Sequence, residues 1–109
     1  MISAILTAAG VEHAHGRFIR MPEGTHAVYF DDIETETADP VASEVMPRIY
    51  HHSVTVEVYE PIPDDDTETA IEAELDARGL SWTKQDRYWI KDLQRYQTVY
   101  EFEYTSKSK

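Results

Sequence analysis

From Arg95 onward the chain alternates. Tyr96, Thr98, Tyr100, Phe102 and Tyr104 fall on one side of an extended backbone, with Gln97, Glu101 and Glu103 on the other. A period of two predicts a half-buried antiparallel strand. The same period runs from Arg48 to Tyr59, where His52, Val54, Val56 and Val58 point one way and Ser53, Thr55, Glu57 and Tyr59 the other. Pro61 and Pro63 end that ladder because neither carries a backbone donor. The apolar run His26–Phe30 predicts a core strand continuing toward Ile33, and a further aromatic strand follows Gly79-Leu80.

Helical spacing appears twice. Ile2, Ile5, Leu6 and Ala9 predict a short amphipathic helix over residues 2–9, with Ser3 as its cap and Gly10 closing it in a left-handed conformation. Ile71 and Leu75, flanked by Ala70 and Ala77, predict a second helix from about Thr67 to Arg78. Asp65 and Glu68 have the spacing of a capping box, Arg78 suits the negative C-terminal end, and Gly79 stops the helix. The stretch from Val11 to Gly24 is polar and irregular, with a short strand at Arg17–Met21. Residues 34–46 lose periodicity and gather Thr, Glu, Asp and Pro, predicting a long mobile loop. The last residues, 105–109, predict a frayed basic tail. The fold class is α+β: one domain over residues 1–109, with a single antiparallel or mixed sheet of about four to five strands packed on one face by two helices.

Charge narrows the partners. Among 109 residues there are 21 acids against 10 bases, a formal net charge of -11. Binding to nucleic acid or an anionic membrane begins by neutralising phosphates with Lys and Arg, so this surface predicts no stable association with either. The chain contains no cysteine, which excludes disulfides, thiolate metal sites and a cysteine nucleophile. The segment Met1 to Ala9 is apolar but has no basic flank and too few residues for a signal peptide or membrane span, which predicts a soluble protein.

Little catalytic chemistry is encoded. His13 and His15 can share a strand face, but His51 and His52 point opposite ways, and no helical H-x-x-x-H spacing occurs. No serine sits in a nucleophile elbow, and Asp64-Asp65-Asp66 lacks the register of a calcium loop. Acids favoured at a helix N-terminus account for that cluster. The pattern predicts a protein that is not an enzyme and has no cofactor or metal. The aromatics lack the basic groove of a base-stacking platform, and Tyr and Trp suit subunit contacts. The candidate subunit or partner contacts are Val41, Val45, Met46, Tyr59, Tyr88 and Trp89.

Taken together, several segments resemble the small tail-terminator or head–tail joining (neck) proteins of long-tailed phages and Gram-positive prophages. They are the Ala-Val-Tyr opening within His26–Phe30, Ala38-Asp39, the Arg48–Tyr59 strand ending in Glu57-Val58-Tyr59, the helix ending at Gly79-Leu80, and Tyr96-Gln97-Thr98-Val99-Tyr100-Glu101-Phe102. Residues Pro40 to Pro47 and Pro61-Ile62-Pro63 depart from the family's pattern. The resemblance implies a non-enzymatic virion component of the tail or neck, assembled in the bacterial host cytoplasm. It implies a homo-oligomeric ring, commonly of six subunits, with tail-tube and head-connector proteins as partners. The acidic surface leaves open a second class, an inhibitor that mimics DNA and occupies a nucleic-acid enzyme.

Overall fold

The computed structural model describes residues 1–35 and 49–107. The elements are α1 (Ile2–Ala8), β1 (Glu12–His15), β2 (His26–Thr35), β3 (Ile49–Glu60), α2 (Asp65–Ala77), β4 (Trp82–Lys84), β5 (Tyr88–Ile90) and β6 (Arg95–Lys107). The six strands form one mixed sheet in the order β1-β2-β3-β6-β4, with β5 also paired to β6. β1 runs parallel to β2, and every other pair is antiparallel.

Register fixes which residues share a face. Ala27, Val58 and Thr98 lie in one row, Tyr29, Val56 and Tyr100 in the next, and Asp31, Val54 and Phe102 in a third. This face carries the core, where Ile2, Ile5, Leu6, Ile71 and Leu75 of the two helices pack on Val54, Val56, Val58, Tyr100 and Phe102. The predicted periodicities of β3, β6 and both helices therefore meet in a single core.

The sheet differs from the four to five strands expected in two ways: one strand is displaced, and another is split in two, which brings the count to six. The strand expected at Arg17–Met21 is absent; pairing stops at Gly16, whose positive φ turns the chain away, and the parallel strand lies earlier, at Glu12–His15. The single aromatic strand after Leu80 is instead two. Lys84 pairs with Tyr100 and Tyr88 with Gln97, so three residues, Gln85 to Arg87, stand opposite two, Thr98 and Val99. One extra residue makes a β-bulge, which bends the strand and resets which side chains face inward.

The caps also differ from expectation. Ser3 does not cap α1; Met1 occupies that position without a side-chain bond, and the Ser3 hydroxyl lies 3.0 Å from His13 Nε2. Asp64, rather than Asp65, caps α2 by accepting from the Thr67 N–H at 3.1 Å. Gly10 and Gly79 both adopt positive φ, as the helix stops require. The tail expected to fray from residue 105 is paired as far as Lys107, opposite Ile49. Of the expected loop, Glu34 and Thr35 belong to β2, and 36–46 lie outside the described residues.

Candidate functional site

The densest polar cluster lies where β3, α2 and the bulge meet. Glu60 closes β3 with its side chain fully buried, and Glu68 is nearly so on the first turns of α2. In an unbroken strand, Lys84 and Arg87, three apart, would face opposite sides of the sheet. The bulge aims both at α2. Lys84 Nζ reaches Glu68 and Glu72, each at 2.8 Å. The Arg87 guanidinium donates to Glu68 and, at 2.7 Å, to Asp65, with its Nε 3.5 Å from Glu60.

The remaining bonds complete the network. Glu60 accepts from the Asp64 N–H at 2.7 Å and from the Thr98 hydroxyl at 3.2 Å. Tyr100 donates its hydroxyl to Glu72 at 2.6 Å, and Thr25 donates to Asp64 at 2.7 Å. Burial pushes the Glu60 carboxyl up to about 7, aided by a hydrogen bond with Glu68 that favours the protonated form. Burial would also raise Glu68, but bonds from Lys84, Glu60 and Arg87 outweigh it and hold the group below the usual carboxylate range. The Thr25 hydrogen bond is the main reason that Asp64 is lowered. Burial would lower Lys84, yet Glu68 and Glu72 raise it, while Asp65 and Glu68 do the same for Arg87. Each cation is committed to two or more carboxylates. A general acid with a raised pKa also needs open access to a substrate, and Glu60 has none. The cluster joins the helix to the sheet and leaves no free reacting group.

Four of the five histidines stack or hydrogen-bond within the subunit, and His51 is exposed. His13 and His15 share the helix-side face of β1, where His15 stacks on Tyr29 at 4.8 Å. His52 stacks on Tyr104 at 4.1 Å, with Nδ1 3.0 Å from the Asp31 carboxylate and Nε2 2.7 Å from the Ser106 hydroxyl. Among the described residues no three His, Cys, Asp or Glu side chains gather as metal ligands. No described helix is long and apolar enough to cross a membrane.

The contact candidates separate into three groups. Tyr88 and Trp89 of β5 are exposed and point to opposite faces, with Trp89 against Tyr96 at 4.8 Å. Tyr59 is half-buried on the open face, stacked on His26 at 5.4 Å. Its hydroxyl donates to Glu57 and accepts from Gln97, and burial followed by the Glu57 bond pushes it up to about 12. It also lines a hollow of about 200 Å³ with Phe18, Met21, His26, Val28 and Leu93. Val41, Val45 and Met46 lie outside the described residues. Sequence reasoning missed the Glu60–Glu68–Arg87 cluster. The only signal for it was an acid in the buried phase of β3, next to Pro61.

No family model matches the chain, and no curated protein does. Among solved structures, the fold is shared with a chain described as "Virion of native gene transfer agent (GTA) particle". That match has a TM-score of 0.58 and 14% identity, and covers 97% of this chain and 86% of the other. A second solved chain, known by a sequence label alone, gives a TM-score of 0.59 at 13% identity, covering 98% and 86%. At these identities the likeness is one of fold.

Proposed function

We propose that this chain is a non-enzymatic structural subunit of a phage or prophage virion, acting at the head–tail joint or tail terminus as a ring-forming tail-completion protein. The observation that carries the reading is the end-to-end match of fold with a chain of a gene transfer agent virion particle. The surface supports it. A net charge of -11 repels duplex DNA, so a ring lined by these acids lets DNA pass without holding it. The partners are further copies of the chain, a tail-tube protein and a head connector. The protein resides in the assembled virion.

A DNA-mimic inhibitor draws support from the open sheet face, which carries Asp32, Glu57, Glu101 and Glu103. The two readings separate by salt. A tail-completion subunit is expected to bind itself or a tail-tube protein through a mixed apolar surface that includes Tyr88 and Trp89, and to hold that contact in salt. A mimic binds a basic nucleic-acid enzyme with affinity that falls steeply as salt rises. Sedimentation and pull-down with a purified tail-tube protein across a salt series tests this. Salt-labile capture of a nuclease or polymerase, with no tail-tube binding, overturns the virion role.

A further inference from the structure

The open face of the sheet has two unlike halves. At one end the segment 16–24 crosses it and is tied down along its length. The Gly16 N–H donates to the Tyr29 carbonyl at 2.9 Å, and the Phe18 ring stands edge-on to His26 at 5.4 Å. Arg95 donates to the carbonyls of Pro22 and Glu23 at 3.4 and 3.1 Å. Phe18 thus lines the hollow of about 200 Å³, while Ile19 is fully exposed between Arg17 and Arg20, with Met21 exposed beside them. The segment's one acid, Glu23, lies at its far end.

At the other end the same face is bare among the described residues. Its rows are Phe30–Thr55–Glu101, Asp32–Ser53–Glu103 and Glu34–His51–Thr105. Asp32, Ser53, Thr55, Thr83, Glu101 and Glu103 help to line a second hollow of about 310 Å³, and Phe30 is 40% exposed in the row beside it. Glu101 accepts from the neutral Gln85 amide at 3.2 Å, and none of these acids meets a cation among the described residues. Charge selects the occupant. Copies of a chain with a net charge of -11 repel one another, so a contact between them must set bases against acids. Arg78, Lys84 and Arg87 are already paired within the subunit. Arg17 and Arg20 form no ion pair among the described residues and flank an exposed apolar side chain.

We infer that two copies pack open face to open face about a two-fold axis running across the strands, so that the segment 16–21 of each seats on the acidic rows of the other. That axis keeps β2 over β2 and β3 over β3 but reverses their direction. The row of Val28 and Glu57, beneath the segment, then lies over the row of Asp32 and Ser53 in the partner copy. The offset between segment and acidic rows is the same in both copies, so the two contacts close together. In each, Ile19 meets the Phe30 ring and the methyl groups of Thr55 and Thr83, while Arg17 and Arg20 meet Asp32, Glu101 and Glu103. An axis running along the strands would instead lay one segment on the other, arginine against arginine. Both copies use the same patch, so the contact is isologous and stops at two. It uses no strand edge, and it goes beyond the ring-forming reading without resting on it.

Charge reversal followed by sedimentation tests the pair. Arg17→Glu/Arg20→Glu and Glu101→Lys/Glu103→Lys change only exposed side chains, so both variants are expected to fold. Alone, each sets like charges together and is expected to dimerise at least about tenfold more weakly than the parent. Mixed one to one, both contacts again join unlike charges, and the heterodimer is expected to recover the parent's affinity. A mixture that recovers none overturns the inference. Self-association that neither variant weakens also overturns it, while leaving the ring reading intact. A parent that stays monomeric at every concentration overturns it too. The chain has no cysteine, so a disulfide can then read the geometry. Under mild oxidation Ile19→Cys/Ser53→Cys is expected to give a covalent dimer and nothing larger, with each single variant left uncrosslinked. A ladder beyond the dimer overturns the two-fold in favour of a head-to-tail contact. A disulfide closed within a monomer overturns it as well, because the segment then reaches its own face.

Discussion

At its helix-covered end the sheet buries charge, and at its projecting end it exposes apolar side chains. Glu60 and Thr98 are buried beneath α2 together with Glu68 of that helix, with Arg87 and Lys84 brought in by the bulge to meet the carboxylates. Past the Asp31–Val54–Phe102 row, the same three central strands continue with β2 exposed from Asp32 to Thr35. There, among the described residues, the one buried polar residue, His52, is held by a tyrosine stack, an aspartate and a serine within the sheet itself. The contrast shows what a covering layer does. The helix shields the buried carboxylates from water and its cap donates the Asp64 N–H to Glu60, while the bulge supplies the counter-charges; the bare ribbon satisfies its polar groups locally. Removing a carboxylate from water costs several kcal/mol unless partners compensate. Glu60 sits near the margin, with burial pushing its proton affinity up and Arg87 and the Asp64 N–H pulling it down.

The sharpest way to break this contrast is to put a charge where the helix-covered half has no partner for it. Val56 is 3% exposed in the middle of the core. Val56→Asp is expected to cost on the order of 4 kcal/mol or more, enough to unfold a marginal domain or lower its thermal midpoint by about 20 °C. A soluble variant with an unchanged midpoint would mean that β3 is not the central strand.

A smaller effect is expected at Glu60. Its folded pKa is raised, so the stability it contributes is fully present below about 4.5 and is lost as pH rises through about 7. Asp64 and Glu68 work in the opposite sense. Their folded pKa values are lowered, so their contribution is present above the ordinary carboxylate range and is lost as pH falls below it. The parent protein is therefore expected to be most stable in mildly acidic solution and to lose stability toward pH 8. Glu60→Gln keeps one acceptor oxygen for the Asp64 N–H, places an amide NH2 where the Thr98 hydroxyl can accept from it, and removes the titration. Chemical denaturation across pH 5–8 should show a flatter profile and a gain of about 1–3 kcal/mol at pH 8. A variant less stable than the parent at pH 8 would show that the ionised carboxylate is needed.

The smallest effect belongs to the projecting half. Ile33→Ser removes a side chain already 54% exposed and is expected to change the stability of the isolated subunit by no more than about 0.5 kcal/mol. Chemical denaturation of that subunit checks this. A large loss of monomer stability would mean that Ile33 packs within its own subunit.

Periodicity alone determined the core. The alternation of β3 and β6 and the helical spacing of Ile71 and Leu75 each specify a buried face, and burying those faces together leaves one arrangement of helices on a sheet. The glycine stops after both helices were equally local, because positive φ is a property of the residue itself. The caps were misread by a residue or more because Ser, Thr and Asp compete for the same N–H groups, and a tertiary contact such as Thr25 to Asp64 decides among them. Only the tertiary structure decided the bulge at Gln85–Arg87, since inserting one residue into a ladder depends on the partner strand. The cluster of Glu60, Glu68, Lys84 and Arg87 follows from that same bulge, because a charge can be buried only where the fold brings its counter-charges within reach. The exposure of Phe30 and Ile33 was likewise hidden in sequence, where apolar strand residues read as core whether or not another layer covers them.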